Sequence, residues 1–122
     1  MLVDSAATDD GSIARETIYS LLSNHRRRFT IHIIKQSDDE IDVLELAEQI
    51  TAWELDVSPE EVPPARRESV YISLTETHLP MLANYGLVTY DESANLVSST
   101  PALAELSIYI EKALFRRGSR SV

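Results

Sequence analysis

The sequence predicts a small, mostly helical α+β domain, and the stretch from Pro64 to Ser99 is the clearest evidence for it. Apolar residues recur at helical spacing from Val70 to Tyr85, and Gly86 follows where helices commonly end in a left-handed residue. Two short, partly apolar runs at 87–90 and 96–99 then flank a polar turn, which is the pattern of a hairpin. A long helix that runs directly into a β-hairpin is typical of a winged helix-turn-helix.

Length and composition are those of one globular domain. The 122 residues, 43% of them hydrophobic, can enclose a single hydrophobic core. No apolar run approaches the roughly 18 residues of a membrane span, the first residues lack the basic start of a signal peptide, and cysteine is absent. The sequence therefore predicts a cytoplasmic protein with no membrane contact, no disulfide and no thiolate-bound metal.

The net charge of −9 has the wrong sign for a protein that binds nucleic acid, because phosphate attracts basic surfaces. The eleven basic residues are concentrated, however, since seven of them are arginines in the runs 26–28, 66–67 and 116–117. The only lysines are Lys35 and Lys112. An acidic surface that is poor in lysine keeps a protein hydrated in a salt-rich cytoplasm, which predicts a halophilic origin. The alternative is an ordinary acidic protein that binds a basic partner.

The first elements can be placed from their apolar spacing. Residues 1–11 are small, polar and acidic, and they predict a flexible tail. Helices are predicted at 12–22 and 25–36, with Asn24 placed to cap the second one. The short run 41–43, which follows a polar loop, is long enough for one strand.

Three consecutive arginines, Arg26, Arg27 and Arg28, occupy the first turn of the second predicted helix. Positive charge is unfavourable there, because the helix dipole is itself positive at that end. Contact with phosphate oxygens would account for the run. The alternative is that one arginine pairs with a carboxylate inside the domain while the others are solvated.

A third helix is predicted to follow Asp42, whose side chain is placed to cap it. Its apolar stripe comprises Leu46, Ala47, Ile50 and Trp53. Because it completes this stripe, Trp53, the only tryptophan, is predicted to be a core anchor rather than a platform for a ligand.

The connection from the third helix to the long one, 55–64, is longer than the roughly three or four residues of an ordinary helix-turn-helix. Within it, 58–61 combines a cap, a proline and acidic residues, and predicts one short helical turn. Inside the long helix, Pro80 should cause a kink about one turn before the helix ends.

The last helix is predicted at 100–117 as a C-terminal dimerisation helix, followed by a tail at 118–122. The helix is apolar on more than one side, so it has to pack on its own domain or on a second chain. We expect a homodimer. The predicted interface residues are Leu103, Leu106, Tyr109, Ile110, Ala113, Leu114 and Phe115.

The predicted DNA-binding site follows from the winged-helix geometry, in which the N-terminal half of the recognition helix reaches base edges in the major groove of double-stranded DNA. The predicted contacts are Arg26, Arg27, Arg28, Arg66, Arg67, Ser69, Tyr71, Ser73, Thr75, Thr77 and Asn95. The alternative for the arginine pair at 66–67 is an ion pair with Glu60, Glu61 or Glu68 on the surface. At the hairpin tip, Asp91 and Glu92 would repel phosphate.

Catalysis finds little support in the sequence. His25, His32 and His78 are far apart, and none has a second histidine at the spacing of metal ligands. Three glycines provide no phosphate-binding loop. We therefore expect no enzyme activity, no cofactor and no bound metal.

Four segments, 22–29, 46–54, 67–74 and 78–88, resemble a winged-helix domain family of unknown function that is common in haloarchaea and their viruses. More distantly, Leu-Ser-x-x-Arg-Arg-Arg, Glu-Leu-Ala and His-Leu-x-x-Leu-x-x-x-Gly-Leu-Val are similar to patterns of ArsR-like transcriptional repressors. The resemblance implies a homodimeric, sequence-specific DNA-binding regulator. The missing cysteines depart from the thiolate metal sensing of many ArsR-like proteins. A winged-helix module that binds a basic protein partner without DNA is the competing hypothesis.

Overall fold

A computed structural model of the chain describes residues 15–106 and 108. The elements in chain order are helices α1 (Arg15–Leu22) and α2 (His25–Gln36), strand β1 (Ile41–Asp42), helix α3 (Val43–Leu55), a 3₁₀ turn (Pro59–Glu61), helix α4 (Pro64–Ser73), a π-helical turn (Leu74–His78), helix α5 (Leu79–Asn84), and strands β2 (Val88–Asp91) and β3 (Leu96–Ser99). Residues 101–106 and 108 are also helical and belong to a last helix. The predicted α+β class, mostly helical with a small antiparallel sheet, is confirmed.

The sheet has three antiparallel strands in the order β1-β3-β2, so the hairpin strand β3 lies in the middle. Val97 is paired with Ile41 on one side and with Tyr90 on the other, and Leu96 is paired with Asp42 and Asp91. The predicted strand at 41–43 is one residue too long. Val43 already begins α3, since the carboxylate of Asp42 accepts the N–H groups of the next helical turn and caps the helix there.

The hydrophobic core lies between the sheet and the helices. Its fully buried side chains include Leu21, Ile34, Leu46, Ile50, Leu74, Leu79, Leu82, Leu87 and Val97. The predicted inward face of the long helix is therefore confirmed. No helix among residues 15–106 is long and apolar enough to cross a bilayer. In the same part of the chain no three His, Cys, Asp or Glu side chains are placed to hold a metal ion.

The long helix is interrupted where Pro80 predicts an irregularity. Proline has no N–H to donate, and its ring collides with the carbonyl oxygen four residues earlier in a regular α-helix. The chain widens to a π-helical turn at Leu74–His78, and the N–H of Leu79 donates to the carbonyl of Leu74. Gly86 then ends the helix with a φ of +75°, as its position predicts.

The described part of the last helix packs on this same core. Leu103 is 0% exposed and Leu106 is 6% exposed within a single chain. Both were predicted to lie at a dimer interface, whereas a single chain already buries them in its own core. The other predicted interface residues, Tyr109, Ile110, Ala113, Leu114 and Phe115, lie outside the described residues.

Candidate nucleic-acid interface

Arg27 is a structural residue and not a phosphate contact. Its side chain is buried, 7% exposed, and donates hydrogen bonds to the carbonyl oxygens of Ser20 at 2.9 Å and Leu21 at 2.8 Å. These carbonyls belong to the last turn of α1. The Ser20 carbonyl also accepts the backbone N–H and the hydroxyl of Ser23, at 3.3 and 2.7 Å, so the hydrogen bond to the Leu21 carbonyl depends most on Arg27. Burial lowers the pKa of the Arg27 guanidinium from its ordinary value. The prediction that Arg27 contacts DNA is therefore wrong.

The same geometry predicts a loss of stability when Arg27 is replaced by methionine. The variant keeps much of the side-chain volume but removes the donor to the Leu21 carbonyl and one of the donors to the Ser20 carbonyl, so we expect the free energy of unfolding to fall by about 1–3 kcal/mol. Denaturant titration at neutral pH measures it. Arg28→Met is the matched control, because Arg28 and its hydrogen bond to the Leu22 carbonyl are exposed to solvent, and its loss should cost less than about 1 kcal/mol. Equal losses for both variants would contradict the capping role.

The two other arginines of the run have different surroundings. Arg26 forms a bidentate ion pair with Glu54 of α3. Its Nη2 lies 2.8 Å from Oε1 and its Nε lies 2.5 Å from Oε2. The alternative weighed for this run, an internal ion pair, is thus correct for Arg26. Arg28 lies on the surface and donates to the carbonyl of Leu22, which still leaves its guanidinium accessible to solvent.

The two arginines at the start of α4 also differ in their surroundings. Arg67 is half-buried, and its Nη1 lies 3.5 Å from Oε2 of Glu48 on α3. Arg66 is exposed and forms no ion pair with any residue between 15 and 106. Arg67 therefore forms an ion pair, but its partner is Glu48 of α3 and not one of the glutamates considered from the sequence. Arg66 remains as the accessible cation at this end of α4.

Tyr71 and Asn95, both predicted DNA contacts, form a hydrogen bond with each other. The Tyr71 hydroxyl donates to Oδ1 of Asn95 at 2.9 Å, and the Asn95 carbonyl accepts the N–H of Val43 at 3.0 Å. Asn95 has a φ of +62°, which places it in the left-handed region at the end of the hairpin turn. One residue therefore connects α4, the start of α3 and the hairpin.

The remaining predicted contacts lie on or near the outer side of the long helix. Ser69 and Thr77 are exposed, whereas Ser73 and Thr75 are half-buried. The exposed residues Glu68, Ile72 and Glu76 accompany them, and Ile72 is 45% accessible. The outer face of the helix is therefore a mixture of hydroxyl, acidic and apolar groups.

The hairpin turn is acidic, as its sequence predicts. The Asp91 carboxylate accepts the N–H of Ala94 at 3.1 Å and the Ser93 hydroxyl at 3.0 Å. These hydrogen bonds favour the ionised form and hold the pKa of Asp91 below its ordinary value. Glu92 beside it is exposed, so the tip presents negative charge to any partner.

Trp53 corrects another prediction, because it is not a core anchor. It is 45% exposed, and its indole stacks on the Phe29 ring with centroids 4.2 Å apart and planes 8° apart. Leu46 and Ile50 of the predicted α3 stripe are buried in the core, but Trp53 lies in the last turn of the helix, beyond the core. No signal in the sequence distinguishes such a position from a buried one.

An open hollow of about 590 Å³ lies beside Trp53, where the start of α2, the end of α3 and the start of α4 meet. Its lining comprises His25, Arg26, Trp53, Glu54 and Arg66. Arg66 is thus the only residue of the predicted DNA-binding site on α4 that also borders this hollow. Sequence reasoning missed the hollow because its residues come from three separate helices.

Comparison with known proteins identifies a family. No curated protein and no solved structure matches the chain. The sequence profile of a domain family matches residues 19–98, which contain α2 to β2, most of β3 and the last part of α1. The chain therefore belongs to the family described as the domain of unknown function DUF7344.

Proposed function

We propose that this chain is a winged helix-turn-helix domain that binds double-stranded DNA as a homodimeric transcriptional regulator, with α4 as its recognition helix. The observation that carries the proposal is the arrangement of elements. Helices α2, α3 and α4–α5 follow in that order, and a hairpin after them pairs with the short strand β1 that precedes α3. In this arrangement the helix before the hairpin is the one that enters the major groove.

The accessible basic groups support a contact at the start of α4. Arg66 lies in the first turn of α4, exposed and without an ion pair among the described residues. A guanidinium in that position can bind O6 and N7 of guanine together, and nearby hydroxyl groups such as that of Ser69 can bind bases or phosphate. Arg28, which is exposed on α2, is a candidate for the DNA backbone.

Because of the acidic groups on the same side of the domain, the proposed DNA binding should depend on the salt concentration. Glu68, Glu76 and the hairpin tip would repel phosphate in dilute buffer, where charges interact over tens of ångströms. In molar salt the Debye length is about 3 Å, so this repulsion is screened while direct hydrogen bonds to bases persist. The proposed DNA binding therefore fits a protein that works in a salt-rich cytoplasm.

Substitution of Arg66 tests the proposed contact. Binding sites are first selected from a random pool of DNA duplexes with the full chain in molar KCl. Arg66→Gln should then weaken binding to the selected duplex by about 1–3 kcal/mol without lowering the melting temperature. Arg67→Gln is the matched control, since Arg67 is held by Glu48, and it should weaken binding less. Fluorescence anisotropy measures both.

A second candidate function, binding to a basic protein, is favoured by the apolar and acidic groups on the outer side of α4, Glu68, Ile72 and Glu76. The double variant Glu68→Gln/Glu76→Gln separates the two functions. It should strengthen DNA binding if DNA lies on this face. Failure of the wild type to select any duplex at any salt concentration would leave the protein-binding function as the better explanation.

The proposed halophilic character gives a separate prediction. A chain with a net charge of −9 repels itself at low ionic strength, where the Debye length is about 30 Å at 0.01 M salt. We therefore expect the melting temperature to rise as KCl is increased to about 1 M. Scanning calorimetry at several KCl concentrations measures it, and a constant melting temperature across this range would exclude salt adaptation.

A further inference from the structure

The hollow beside Trp53 combines a flat aromatic surface with an accessible positive charge. One side of the Trp53 indole is occupied by the Phe29 ring, yet 45% of the residue remains accessible. The His25 ring lies 5.9 Å from the indole, at an angle of 43°. The rings of Phe29 and His25, both on α2, therefore lie beside the indole. An indole held in this way is a preformed stacking surface, which a ligand can use without first ordering it.

The charges in the hollow leave one guanidinium available. Glu54 is the only carboxylate in the lining, and it is already held by two hydrogen bonds from Arg26, with His25 Nε2 at 3.8 Å. Arg26 and Glu54 therefore neutralise each other. Arg66, on the facing start of α4, adds a positive charge that no described residue balances.

From these groups we propose that the hollow binds a small, planar aromatic anion, whose ring stacks on Trp53 and whose carboxylate or phosphate pairs with Arg66. A volume of about 590 Å³ is within the usual range for small-molecule sites. A guanidinium forms its strongest hydrogen bonds with an anionic oxygen, and two can form side by side. An aromatic cation would meet Arg66 unfavourably, and an aliphatic anion would leave the indole unused.

The site has a regulatory consequence, which rests on the proposed function. Arg66 is the side chain assigned above to a base contact, and it cannot bind an anion in the hollow and guanine at the same time. The ligand would therefore compete with DNA for one guanidinium and act as an inducer. Binding of the ligand itself does not depend on that assignment.

Trp53 provides the reporter, because it is the only tryptophan of the chain. Benzoate and adenosine monophosphate are titrated separately into the full chain without DNA, at the lowest salt concentration that gives a cooperative melt. We expect saturable quenching of the indole fluorescence by at least one of them, which also distinguishes a carboxylate from a phosphate ligand. Benzamide and adenosine, which lack the charge, should bind at least about tenfold more weakly.

Two variants with opposite effects complete the test. Arg66→Gln should weaken binding of the anion by about tenfold or more, whereas Arg67→Gln, whose guanidinium is not part of the hollow, should change it less than about twofold. Glu54→Gln should tighten binding, because it removes the only negative charge of the lining while keeping a hydrogen-bond acceptor for Arg26.

The proposal is overturned if neither anion quenches saturably, if the neutral analogues bind equally well, or if Arg66→Gln binds like the wild type. These measurements contain no DNA. A chain that binds the anion but no duplex would contradict the DNA-binding function alone, and the reverse result would contradict the ligand site alone.

Discussion

Replacement of Leu103 by alanine is expected to lower the free energy of unfolding by about 2–5 kcal/mol. Leu103 is 0% exposed and lies in the core cluster that includes Leu46 and Leu82, although it follows the hairpin in sequence. Alanine would leave a cavity there that the surrounding side chains can fill only in part. Urea titration monitored by circular dichroism measures the loss.

Ile108 provides the matched control on the same helix. It is 55% exposed, so Ile108→Ala should change the free energy of unfolding by less than about 0.5 kcal/mol at low protein concentration. If a second copy of the chain covers this side of the helix, Ile108→Ala should instead weaken association, which light scattering detects. A small effect of Leu103→Ala together with a large effect of Ile108→Ala would show that the helix serves association rather than the core.

Acid is expected to destabilise the chain through His78. Burial, the charges of Arg27 and then of Arg26 lower the pKa of His78 from 6.5 to about 4, and Glu54 opposes them only weakly. Nη1 of Arg27 lies 3.5 Å from Nδ1 of His78. Because a guanidinium can only donate, this contact favours the neutral tautomer of His78 in which Nδ1 is the acceptor.

The sign of the pH effect follows from these two pKa values. Between pH 6.5 and about 4 the unfolded chain binds a proton at His78 and the folded chain does not, so the free energy of unfolding falls as the pH is lowered. The contribution of neutral His78 is complete above the unfolded pKa and is lost below the folded one. A shift of this size corresponds to about 3–4 kcal/mol in all, of which about 3 kcal/mol is lost by pH 4.

His78→Gln isolates this contribution from the many carboxylates of the chain, because it has no proton to gain. Unfolding measured at several pH values between about 7 and 4 should show that the wild type loses about 2–3 kcal/mol more than the variant. Parallel curves for the two proteins would mean that His78 is protonated in the folded state at its ordinary pKa.

The sequence was sufficient for those parts of the fold that depend on local chemistry. Apolar spacing placed α2 at its observed bounds, the side chain of Asp42 placed the start of α3, and Gly86 placed the end of the long helix. Pro80 predicted a kink, and the structure has a π-helical turn just before this residue, because its missing N–H is a property of the residue alone. Each of these signals acts within about one helical turn.

The candidate site was less predictable because its properties depend on neighbours that are distant in sequence. Arg26, Arg27 and Arg28 are identical residues in one run, yet one pairs with Glu54, one is buried against α1 and one is exposed. Trp53 satisfies the apolar spacing of α3 but lies past the end of the core. The spacing of apolar residues shows on which side of its own helix a side chain lies, but it does not show which residues of other elements face that side.

Asn95 has a further consequence for how this surface meets any large partner. Its side chain is fixed to Tyr71 on α4 and its carbonyl to the first residue of α3, so one residue acts as a strut between two helices and the hairpin. The hairpin cannot swing as an independent flap without breaking both hydrogen bonds. A partner that contacts both α4 and the hairpin therefore meets two surfaces at a fixed distance from each other, and its own width must match that distance.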